Sequence, residues 1–181
     1  MAIITLAAAK AQLGIDPSDT DDDAELQTFM EAVTAPLERE LGRVIEQRTV
    51  IDEFDLPTGT TSVLLRSVPV STLISIESVD GSVSWSVDPS VMHVYAESGE
   101  VTVLSGPALS GKVVFIYRAG DADVAAHHRL AGLIILQHLW ETQRGAMGVN
   151  LGGEGETFVP KGYAVPRRAL ELLESTLPGV A

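Results

Sequence analysis

Cysteine is absent from the 181 residues, so disulfides, thiolate metal sites and a cysteine nucleophile are excluded. A chain of this length buries roughly 70% of the surface its unfolded form exposes and needs no covalent staple to hold a core. Basic residues are also scarce: 12 Lys and Arg stand against 25 Asp and Glu, for a formal charge of −13. A general positive field that would hold nucleic acid or an anionic membrane is therefore excluded, although proximity to DNA without affinity is not. Long apolar runs are missing as well. The longest, Leu130 to Trp140, contains Gln137 and His138 and falls short of about 20 apolar residues. At the N-terminus Lys10 follows the apolar stretch, whereas a signal peptide carries its charge before it, so a soluble, unprocessed chain is expected.

What is present is hydrophobic periodicity that changes twice. Thr5 can cap a short helix through Leu13, closed by Gly14. After an acidic stretch (Asp19, Asp21, Asp22, Asp23, Glu25), apolar residues recur at Leu26, Phe29, Met30, Val33, Leu37 and Leu41, one face of a second helix near 21–41. The acids suit the positive end of its dipole, and Pro36 predicts a kink. From 44 to 118 the pattern is β. Val79-Asp80-Gly81-Ser82 and Ser98-Gly99 mark turns, Lys112 to Tyr117 reads as a strand, and Pro69 marks an edge or irregular segment. Helical spacing returns over 122–144 and again over 166–176, with Pro166 at the first turn. Gly145 to Gly162, with six glycines, reads as a flexible loop. The expected fold is α+β: one domain, a small helical bundle with an antiparallel β insertion.

The chemical motifs are weak. Gly106-Pro-Ala-Leu-Ser-Gly111-Lys112 imitates a phosphate-cradling loop, but Val113 stands where Ser or Thr must hold magnesium, and a strand follows where a helix should. Asp19, Asp21 and Asp23 imitate a calcium loop, yet Ala24 and Met30 occupy the positions of its obligatory Gly and Glu. His127 and His138 share a helix face but lie about 16 Å apart along the axis, too far for one metal. No pair of carboxylates is singled out as acid and base. Catalytic, cofactor and metal residues are therefore all read as none, and an enzyme or small-molecule domain with a metal at Asp19 and Asp21 is a remote alternative. The stretch around Leu133, Ile135, Leu139 and Trp140 is apolar on more than one face, which suits a central helix or a subunit contact. Arg167 and Arg168 open a helix against its dipole, which suits an outside carboxylate such as Asp21, Asp22 or Asp23 of a neighbour.

Three segments taken in order resemble the head–tail connector (adaptor) proteins of tailed double-stranded DNA phages. They are Ile4 to Asp16 with Asp21–Leu26 and Ala32–Arg43, then Leu65-Arg-Ser-Val-Pro-Val70 leading to Ile76–Val79, and Tyr117-Arg-Ala-Gly120 with the helix reaching His138–Arg144. The resemblance implies a structural virion protein of the neck, assembled in the host cytoplasm, without active site or cofactor. It also implies a homo-oligomeric ring, typically twelve-fold, below the portal protein, contacting a downstream neck or tail protein. DNA would pass through such a ring without specific binding, and no membrane is involved. Head-closure (stopper) and tail-terminator proteins are the alternatives within the same neck.

Overall fold

The computed structural model describes residues 3–144 and 165–173. The expected loop at 145–162 and the end of the expected last helix, 174–176, lie outside the described residues. The chain divides into two compact units, one built from Met1–Leu41 with Ala125–Ala181 and the other from Gly42–Val124. The β-rich segment is thus inserted into a helical one, as the change of periodicity indicates.

The helical unit contains α1 (Leu6–Leu13), α2 (Asp23–Leu41), α3 (Ala126–Arg144) and α4 (Arg167–Leu173). Thr5 caps α1 by accepting the Ala8 N–H at 3.2 Å, and Gly14 ends it in the left-handed conformation. Leu26, Phe29, Met30, Val33 and Leu37 form the buried face of α2, which continues through Pro36. On α3 the buried positions include Ala131, Ile135 and Leu136. Gly132 stands between them for a steric reason: a Cβ there would lie 3.0 Å from Ile4 Cδ1, so the missing side chain lets the buried N-terminal segment lie close against α3. Ala169 and Leu173 bring α4 into the same bundle.

The β unit contains β1 (Arg48–Thr60), β2 (Ser62–Leu64), β3 (Val70–Ser78), β4 (Ser84–Trp85), β5 (Met92–Tyr95), β6 (Glu100–Val103) and β7 (Leu109–Ala119). They form an antiparallel sheet in the order β1-β7-β3-β4 and a second in the order β2-β6-β5. One core joins their inner faces, with Val63, Met92 and Val101 from the small sheet and Ile76, Val113, Phe115 and Tyr117 from the large one. Alternation along β7 buries Val113, Phe115 and Tyr117 and leaves Arg118 outside, as a pleated strand requires. Both predicted turns are present, with Gly81 between β3 and β4 and Gly99 between β5 and β6. Pro69 sits immediately before β3, after a cis Val68–Pro69 bond.

One boundary is corrected. The helix expected to begin near 122 begins at Ala126, because the residues before it belong to the β unit. Asp121 bridges Glu46 in parallel, donates its N–H to the Ile45 carbonyl at 3.2 Å and lies 3.7 Å from the Arg43 guanidinium. The look-alike of a phosphate loop also resolves: Leu109 to Lys112 are already part of β7, and no helix follows them.

Candidate functional site

The acidic stretch is organised around a buried cation. Lys10, only 4% exposed, points from α1 into the connection to α2. Its ammonium donates to the carbonyls of Asp19 at 2.5 Å and Pro17 at 3.4 Å and lies 2.6 Å from Asp23 Oδ1. A charge taken from water needs such compensation, and two carbonyls with one carboxylate supply it. Asp16 accepts from the Ser18 N–H and hydroxyl, which hold its carboxyl below the usual range. Asp19 accepts the Asp21 N–H at 3.1 Å. Of the three acids expected to face a neighbour, Asp23 is therefore engaged with Lys10, Asp22 is half-buried, and Asp21 is exposed. Among the described residues no group of three or more His, Asp and Glu is placed to hold a metal.

The α3 residues separate by environment. Ile135 is wholly buried in the helical unit and so serves its core, the part a central helix would give it. Leu133, Leu139 and Trp140 are half-buried. Trp140 meets Phe29 of α2 edge to face, with centroids 6.0 Å apart, leaving part of its indole on the surface. Arg167 and Arg168 are both exposed, and Arg167 lies 3.4 Å from Glu171 one turn along α4. That local pair offsets part of the conflict with the dipole, since i,i+4 ion pairs on a helix contribute only about 0.3–0.5 kcal/mol.

The β unit carries surface features that the composition does not announce. Ile51, Leu64, Tyr95 and Leu104 are the most exposed large apolar side chains of the unit. An open cleft of about 560 Å³ lies between the β3–β4 turn and the start of β7, lined by Val79, Val83, Trp85, Pro107 and Lys112 among others. The turn itself is closed by hydrogen bonds: Asp80 accepts from the Ser78 hydroxyl and from the Ser82 N–H and hydroxyl, which push its carboxyl down to about 2.

A buried polar network fastens the other side of the unit. Tyr117 Oη donates to Asp52 Oδ2 at 2.8 Å and accepts the Ser67 N–H at 3.0 Å, while the Arg66 N–H donates to the same carboxylate oxygen at 2.9 Å. Burial, followed by the bond to Asp52, raises the Tyr117 phenol above its ordinary value. Removing one partner of a buried carboxylate costs about 1–3 kcal/mol, so Tyr117→Phe is expected to lower stability by that amount in denaturant unfolding. The pH sign follows: folding favours the protonated phenol, so its contribution is complete below pH 10 and is lost as pH rises through the raised native value. Tyr117→Phe therefore flattens the alkaline limb of the stability profile, whereas an unchanged limb would remove Tyr117 from it.

This is an arrangement of capped turns, packed helices and exposed apolar side chains, suited to assembly. The head completion protein (HCP) family model matches residues 2–175. Among solved structures, the neck of an empty gene transfer agent (GTA) particle computed with C6 symmetry has a chain with TM-score 0.66 and 15% identity, covering 93% of this chain and 86% of that one. The virion of a native GTA particle gives TM-score 0.64 at 16% identity, and the neck of the native particle computed with C12 symmetry gives 0.62 at 15%, both with the same coverage. A comparison with curated proteins gave no significant match. The family match spans nearly the whole chain, both units included, and the chain belongs to the head completion protein family.

Proposed function

We propose that this protein is a structural component of the virion neck that joins the DNA-filled head to the tail, acting as one connector module without catalytic activity. The observation that carries the reading is the family match over residues 2–175. The shared fold with chains of GTA neck structures, computed with C6 and C12 symmetry, supports a ring of identical copies, which we take to be twelve-fold. Such a ring sits below the portal, extends the DNA channel and offers its far side to the next neck or tail protein. An acidic chain suits this place, because a wall of like charge lets the DNA backbone slide instead of gripping it.

Contacts between copies are proposed to use the exposed parts of Leu133, Leu139 and Trp140 together with Arg167 and Arg168, the arginines meeting the exposed Asp21 of a neighbour. Electron microscopy of whole particles carrying a gold-labelled copy of the protein tests the placement. Label at the joint between head and tail is expected. Label spread over the head shell or along the tail would overturn it.

A further inference from the structure

The outer edge of β1 is long, and among the described residues no strand pairs with it. Which of its backbone groups face outward follows from two observations. On β7, Lys112 accepts the N–H of Val79 and Gly120 next to the strand donates to Pro69, so the even-numbered residues of β7 turn their backbone groups toward β3. The odd-numbered residues of β7 therefore serve β1, and they stand opposite Val50, Asp52 and Phe54. That leaves the N–H and C=O groups of Thr49, Ile51, Glu53 and Asp55 directed outward. The Glu53 carbonyl confirms it, since it accepts from Arg66 Nη2 at 3.2 Å.

Arg66 thus occupies the edge. Its guanidinium lies 4.9 Å from the Phe54 ring centroid and 3.9 Å from Asp52 Oδ1, and the side chain is 64% exposed. Asp52 beneath it is a charge pointing inward from an edge strand, a known means of discouraging further pairing. The edge needs such protection because it is self-complementary. A two-fold axis through Ile51 would place Ile51 against the second copy's Ile51 and Thr49 against its Glu53, using the outward groups of these three residues in hydrogen-bonded pairs with no like charges opposed. It would also cover Ile51, which is 66% exposed in the single chain. Shifting the axis to Asp52 sets two carboxylates face to face and is disfavoured.

We infer that Arg66 is a guard that keeps the β1 edge from pairing with the β1 edge of a second copy. This suppresses an off-path antiparallel dimer and does not depend on the proposed neck ring. Arg66→Met keeps a flexible apolar stem over Phe54 but cannot fill the Glu53 carbonyl. In sedimentation equilibrium it is expected to tighten self-association at least tenfold over the parent, with slowed hydrogen exchange at the Ile51 and Glu53 amides. Adding Ile51→Lys should return the double variant to the parent's behaviour. Phe54→Leu removes the ring under Arg66, leaves the Asp52 contacts intact and should move association the same way by a smaller factor, which keeps the test available if Arg66→Met misfolds. A folded Arg66→Met that associates no more than the parent would overturn the inference. So would association undiminished by Ile51→Lys, or a folded Phe54→Leu no more associated than the parent.

Discussion

Lys10→Met is expected to destabilise the helical unit by about 3–5 kcal/mol, the cost of stripping one partner from a buried ion pair. Methionine fills much the same volume, so the loss is electrostatic: Asp23 loses the ammonium 2.6 Å away, and the Asp19 and Pro17 carbonyls lose their donor. Asp23 retains some contact with water, which places the effect toward the lower end of that range. The two tryptophans make the measurement specific, since Trp85 lies in the β unit and Trp140 in the helical one. Urea unfolding followed by Trp140 in a Trp85→Phe background should show the lowered midpoint. A change below about 1 kcal/mol would mean that Lys10 behaves as an ordinary surface charge. The acidic stretch would then owe its shape to its own turns and not to a buried cation.

Gly120→Ala is expected to cost the β unit about 3–5 kcal/mol, from two sources that add. Its φ of 93° is one that side-chain-bearing residues reach only with strain of about 1–3 kcal/mol. An added Cβ would also sit 2.8 Å from both the carbonyl carbon and oxygen of Glu46 and 2.9 Å from the Gln47 nitrogen. These are backbone atoms in the segment held by the Glu46–Asp121 bridge, so they cannot move aside by changing rotamer. Unfolding followed by Trp85 in a Trp140→Phe background reads the effect. Gly14→Ala makes a useful comparison: its φ is also positive, but a Cβ there meets nothing within 4 Å, so it should cost appreciably less. Equal costs at the two positions would show that conformational strain alone is at work.

The contrast between what the residues announce and what they conceal is physical. Helices α1 and α2 are readable because their signals are local: a capping Thr5, the acids before Leu26, and apolar residues at three- and four-residue steps. The β3–β4 and β5–β6 turns are readable for the same reason. The order β1-β7-β3-β4 is not, because it pairs residues as distant as Arg48 and Ala119 and no local pattern records the partner. Neither is the start of α3. Asp121 and Asp123 look like helix-initiating acids, but Asp121 is taken by long-range bonds to Ile45 and Glu46.

The surfaces are less legible than the fold. The acidic stretch stands out as such, but not the single cation that shapes it, since Lys10 sits in an alanine-rich turn with nothing nearby in sequence to mark it as buried. Ile135 shows the limit of reading faces from an apolar run: Leu133 and Ile135 are two residues apart, yet one is half-buried and the other wholly buried. Arg66 carries no signal at all. Its position over β1 depends on where the chain returns after β2, which only the folded sheets define.

The central claim, a structural part at the head–tail joint, is tested most directly by disrupting the gene in the phage or particle that encodes it and imaging the lysate by electron microscopy. DNA-filled heads lying beside separate, finished tails are the expected result. Normally tailed particles in undiminished number would contradict it.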